Sequence, residues 1–190
     1  MLTMKNIIRE GNQTLRLKAL PVQTPVSKED QKILIDMLAY LINSQNEETA
    51  QKYGLRPGVG LAAPQINVSK RMLVILANDF EGKLHILPLV NPVIINHSKE
   101  KIFLPDGEGC LSVNRPTEGL TPRYQSITVK ALFFNVKTGA FEDKQFAFTD
   151  YIAIVFQHEY DHLEGILYVD KLFKELPDAK PLIAKVAKTK

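Results

Sequence analysis

An α+β fold, with antiparallel sheets packed around a central helix that carries an HExxH motif, is predicted by three features of the chain. Apolar stretches of strand length follow one another from 72 to 148 at hairpin-like spacing and do not alternate with helices. Helical periodicity is confined to 28–44 and to a segment beginning after Thr149. That second segment holds QHEYDH, 157–162, inside an otherwise apolar run. The 190 residues suffice for one core, so a single domain spanning 1–190 is expected.

The elements follow in chain order. Ser27 with Asp30 resembles a capping box with the shorter acid. Leu34, Leu38, Leu41 and Ile42 form the apolar stripe of the helix that follows. NSQNEETAQKYGLRPG is polar, ends in Pro57-Gly58, and reads as a loop with at most a helical turn. MLVILA (72–77), ILPLVNPVII (86–95) and SITVKALFF (126–134) read as strands, the second interrupted at Asn91-Pro92. Gly139 marks a hairpin turn into a fourth strand near Lys144–Phe148. Thr149 is placed as N-cap and Gly165 as the residue after the C-cap of the second long helix. The tail beyond Pro177 has no decisive pattern.

Composition narrows the functional classes. A hydrophobic fraction of 45%, a charged fraction of 24% and a net charge of +3 are those of an ordinary globular protein, and the charge is too small to argue for nucleic acid. MLTMKNIIREG lacks the apolar core of a secretory signal, and no run approaches the roughly 20 apolar residues that span a bilayer. The expected compartment is the cytoplasm, with no membrane and no DNA partner. Cys110 is the only cysteine, hence core filler, nucleophile or ligand.

At about 100° per helical residue, His158 and His162 lie about 40° apart, one turn up the same face, and can reach one ion. Glu159 is offset so as to sit over a bound water. Tyr151, Ile154, Val155, His158, Glu159 and His162 share one stripe, apolar in its first half and metal-binding in type in its second. Ile152, Phe156 and Leu163 give the helix a second apolar side, as a central helix requires. The competing reading is a pair of satisfied core histidines without an ion. A catalytic site of this type needs a third ligand and an open position. His85 and His97 sit in polar surroundings. Cys110, in GEGCLS, is either a small buried hydrophobe or a thiolate that completes a set suited to Fe²⁺ or Zn²⁺. GVGLAAPQ (58–65) lacks any phosphate-loop pattern; it is a tight turn into a strand, or a narrow wall beside a site with Gln65 as an oxyanion donor.

GVGLAAPQ, EGCLS (108–112) and QHEYDH, in this order and at these separations, closely resemble the three signature motifs of peptide deformylases. The long segment before Gly58 resembles the longer subclass found in Gram-positive bacteria. The resemblance implies an α+β fold and removal of the formyl group from N-formylmethionyl nascent polypeptides. It also implies Fe²⁺ as the usual metal, with Zn²⁺, Ni²⁺ or Co²⁺ as substitutes, and transient contact with the ribosome. Position by position, it makes Cys110, His158 and His162 metal ligands, Glu159 the general acid/base, and Gln65 with the Leu111 N–H the holders of the formyl oxygen. Glu164 and Tyr160 are minor departures, and NRPTEGLTP (114–122) is unfamiliar and lies at the expected rim of the cleft.

Tyr151, Ile154 and Val155 lie one or two turns before His158, so an apolar pocket suited to methionine is expected there, with Val59 and Leu104 as further walls. Gly58, Gly60 and Gly109 allow close approach of a peptide backbone, as in strand addition. Asp161 and Arg123 are expected either to steady the motif helix or to form an ordinary surface pair. A zinc peptidase using HExxH alone would need a third ligand downstream, where 163–190 has no histidine. A non-catalytic RNA-binding module with a structural metal would lack Glu159 or add a fourth ligand. The basic tail AKVAKTK (184–190) is a solvated terminus or a weak ribosomal RNA contact.

Overall fold

A computed structural model describes residues 1–183. The tail AKVAKTK therefore lies outside the described residues. The first helix, α1 (Lys28–Gln45), starts at Ser27, whose Oγ accepts from the Asp30 N–H at 3.1 Å. Only half of a capping box forms, because the Asp30 carboxylate instead receives the Ser27 hydroxyl and the Lys70 ammonium. Leu34, Met37, Leu38 and Leu41 are buried, but Ile42 is 51% exposed. Ile42 sits about 100° round the helix from Leu41, beyond the edge of the apolar face. The polar segment after α1 is helical rather than looped: α2 (Glu47–Tyr53) is capped by the Asn46 side chain and closed by the left-handed Gly54.

Five antiparallel strands form the main sheet in the order β1 (Gly60–Ala62), β2 (Met72–Asn78), β3 (Leu84–His97), β6 (Ser126–Asn135), β7 (Ala140–Thr149). Alternation on β2 explains its unbroken apolar sequence. Met72, Val74 and Leu76 join the core under α1, while Leu73, Ile75 and Ala77 join the core under the motif helix. Asn91 is left-handed (φ 49°) where the β3–β6 register shifts, so Asn91-Pro92 is a bulge within one strand. Its amide clips Val22 through bonds of 2.8 Å to both N–H and C=O. Gly139 supplies the positive φ (72°) of the β6–β7 hairpin.

A second sheet has the order β5 (Arg123–Tyr124), β4 (Lys101–Phe103), β8 (Ala179–Pro181). The segment after Pro177 thus contains a strand, and it runs parallel to β4. Between the sheets lies α3 (Asp150–Leu163), which contacts β1, β2, β5, β6 and β7 and carries the HExxH motif. Ile152, Phe156 and Leu163 are buried on its second apolar side, and truncating a residue as enclosed as Phe156 costs about 3–5 kcal/mol. The Thr149 side chain makes no cap bond. The chain enters α3 through Asp150 at φ 52°, held by bonds to Gln125 of 2.8 and 3.0 Å. At the other end Gly165 (φ 74°) closes the helix, with Ile166 N–H on Asp161 O at 2.9 Å.

Candidate metal centre and substrate cleft

The motif helix is locked in place before its histidines are reached. Gln157 bonds both main-chain groups of Tyr124 on β5 at 2.9 Å, fixing the rotation of α3 against the second sheet. One turn apart, about 100° and 140° round the helix from Gln157, stand His158 and His162. Cys110, from the loop after β4, brings its Sγ to 3.3 Å from His162 Nε2. One donor atom each from Cys110, His158 and His162 fall within 4.8 Å of one another.

Behind them lies a buried charge network. Glu108 accepts from His158 Nδ1 at 2.7 Å and from Arg123 Nε and Nη2 at 2.7 and 2.8 Å. Arg123 also pairs with Asp161 at 2.5 Å, and Lys171 reaches the same carboxylate at 2.7 Å. With Arg123 3% exposed, the Asp161–Arg123 contact is an interior pair, not a surface one. Burial opposes the charge on Glu108, yet the bonds from Arg123 and His158 outweigh it and hold the carboxyl at about 2. The bond to Nδ1 turns His158 Nε2 toward the shared centre. The Tyr168 ring stacks on His158 at 5.7 Å and is itself anchored to Thr117 by its hydroxyl.

The remaining motif groups surround the same centre. Gln65 is 1% exposed; its Oε1 accepts from Ala62 N–H at 2.8 Å, which leaves Nε2 facing Cys110 Sγ at 3.5 Å and Ser112 Oγ at 3.4 Å. Leu111 N–H has no protein acceptor among the described residues. Burial pushes Glu159 up to about 7, and its Oε2 has no partner. Gly60 makes room for it: a Cβ there would stand 2.7 Å from Glu159 Cδ. The donor set fits a divalent ion. Thiolate and imidazole suit Fe²⁺ and Zn²⁺.

An open cleft leads to this centre. It is lined by Gly58, Val59 and Gly60, by Tyr151, Ile154 and Val155 from α3, and by Leu104, Gly109, Cys110 and Leu111. Gln45, Arg56 and Glu108 line it as well, although no motif gave any of the three a role. Gln45 bonds Gly58 O and Leu76 O at 2.8 Å, tying the end of α1 to the glycine wall. His85 pairs with Asp79 and His97 stacks on Tyr124 at the end of β3, so neither joins the metal group.

The family model described as polypeptide deformylase matches residues 4–177. The chain belongs to the polypeptide deformylase family. It is 50% identical to peptide deformylase 2 of Bacillus cereus, over 95% of this chain and 96% of that one. It is 49% identical to the peptide deformylase of Oceanobacillus iheyensis, over 93% and 94%. Among solved structures, a class I type b peptide deformylase from Acinetobacter baumannii bound to Met-Ala-Ser matches with a TM-score of 0.66 and 29% identity, covering 87% of this chain and 96% of that one. The deformylase family is metal-dependent, and the Cys110–His158–His162 group is where this member has the donors for an ion. No helix among the described residues is long and apolar enough to cross a membrane.

Proposed function

We infer that this chain is a metal-dependent hydrolase that removes the formyl group from the N-terminal formylmethionine of newly synthesised polypeptides. One conjunction carries the reading: a buried carboxylate with an unpaired oxygen stands beside a thiol and two imidazoles at the end of an apolar cleft. Cys110, His158 and His162 hold the ion. We assign it as Fe²⁺ from the family resemblance, with Zn²⁺, Ni²⁺ or Co²⁺ as substitutes. When bound, the ion supplies Lewis acidity to the formyl oxygen and lowers the pKa of the attacking water.

Glu159 takes a proton from that water and passes it to the methionyl nitrogen as the C–N bond breaks, leaving formate and a free amino terminus. A carboxyl held near 7 by burial suits both transfers. Gln65 Nε2 and Leu111 N–H donate to the formyl oxygen as it gains negative charge; losing one such donor typically costs about 3–4 kcal/mol in the barrier. Tyr151, Ile154, Val155, Val59 and Leu104 enclose the methionine side chain, and Gly58, Gly60 and Gly109 admit the peptide backbone. The Met-Ala-Ser complex of the Acinetobacter relative supports a peptide of this class in the cleft. The enzyme acts in the cytoplasm with transient access to ribosomes, as a co-translational substrate requires. Metal analysis on anaerobically purified protein, paired with a formyl-Met-Ala-Ser assay, should find bound iron and release of formate. Cleavage of internal bonds in unformylated peptides would favour a peptidase instead.

A further inference from the structure

We propose that Arg9 and Arg56 are positioning residues that fix the direction of the Leu111 N–H. The proposal rests on the assignment of that N–H to the formyl oxygen. Arg56 Nη2 donates to Cys110 O at 3.3 Å, and Arg9 Nη1 donates to Leu111 O. Two guanidinium groups therefore hold two consecutive carbonyls of the loop that bears both the thiol and the backbone donor. The Cys110 carbonyl and the Leu111 N–H belong to one planar trans peptide and point in opposite directions. Fixing the Cys110 carbonyl through Arg56 thus fixes the Leu111 N–H directly, while Arg9 holds the following peptide through Leu111 O and so anchors the other side of the Leu111 Cα. A charged donor on the carbonyl also polarises the peptide, which makes its N–H a stronger donor.

The same N-terminal segment reaches the second donor. Ile8 N–H bonds Gln65 O at 2.8 Å and Glu10 N–H bonds Ser112 O at 2.9 Å, with Arg9 between them. Residues 8–10 therefore tie together the main chain of both groups assigned to the oxyanion, which are more than 40 residues apart in sequence. Lysine does not reproduce the arrangement, because Arg56 uses a second nitrogen on Asn114 Oδ1 at 3.5 Å and so keeps its fork in one orientation. Arg56 also lines the cleft, so the rival role is direct contact with the substrate.

Because Cys110 is the only cysteine, [¹³C-carbonyl]cysteine with [¹⁵N]leucine labels one amide in the chain, that of Leu111. In zinc-loaded protein this resonance should move in Arg56→Gln, move less in Arg56→Lys, and move in Arg9→Lys. For formyl-Met-Ala-Ser, kcat should fall about 10-fold in Arg56→Gln, less than the 10²–10³ typical of a deleted oxyanion donor, with KM within about twofold. Bound zinc should stay at the wild-type level. A stationary Leu111 resonance, a kcat loss matched by zinc loss, or a raised KM with kcat kept would each overturn the proposal, the last making Arg56 a substrate contact. Wild-type protein that releases no formate would instead sink the functional reading itself.

Discussion

Glu159 joins a motif position to an environment that only the fold supplies. Enclosure in α3 with an unpaired Oε2 gives it a proton affinity suited to transfer near neutrality. Glu159→Gln keeps the shape but cannot accept a proton, so metal content should stay near wild type while formate release drops at least about 10²-fold. Near-normal turnover by the metal-loaded variant would remove Glu159 from its role. Glu108 is the complementary case. It lies inside EGCLS, yet nothing local marks it, because its partners Arg123 and His158 are 15 and 50 positions away. Glu108→Gln loses the negative charge that holds Arg123 and orients His158, and metal affinity should weaken by about 10–100-fold, measured by competition against a chelator. Unchanged affinity would make the network a purely structural one.

The long elements and the motif helix were legible because their patterns are local: the α1 cap at Ser27, the unbroken apolar run of β2, and the helix stop at Gly165. Other features depend on tertiary contacts. Ile42 looks like core until the width of the α1 face is known, and Thr149 does take the N-cap position, but the helix start is held by Gln125 on Asp150 and not by the Thr149 side chain. The α2 helix is polar, with no buried residue, so it offered no apolar periodicity to read. Two glycines give element-scale tests. At Gly165, φ of 74° and a Cβ 2.6 Å from Arg16 O should make Gly165→Ala destabilising by at least about 1 kcal/mol, seen as a lower thermal midpoint. An unshifted midpoint would contradict the tight packing of the helix end against the 3₁₀ turn at Gln13–Arg16. At Gly60 the added methyl meets the Glu159 side chain, so Gly60→Ala should lose turnover while keeping a folded, metal-binding chain.

At the scale of the molecule, the edge strand β1 of the main sheet, the loop after β4 and α3 line one cleft, which His158 and Glu159 of the motif share. The sequence motifs identify which residues meet there. They do not reveal the parallel β4–β8 pairing, or that residues 8–10 bond the main chain at Gln65 and Ser112, since both arise from contacts between segments far apart in sequence. An apolar cleft should make formyl-Met peptides far better substrates than formyl-Asp peptides, because burying an unpaired carboxylate is costly; equal kcat/KM values would exclude the pocket from recognition. The most direct measurement follows formate release from formyl-Met-Ala-Ser as metal-free protein is titrated anaerobically with Fe²⁺, in wild type and in Cys110→Ser. Activity should rise in proportion to bound metal until the single site is filled, and Cys110→Ser should retain metal poorly and stay far less active. Full activity without metal, or full occupancy and turnover in Cys110→Ser, would contradict a catalytic ion held by Cys110, His158 and His162.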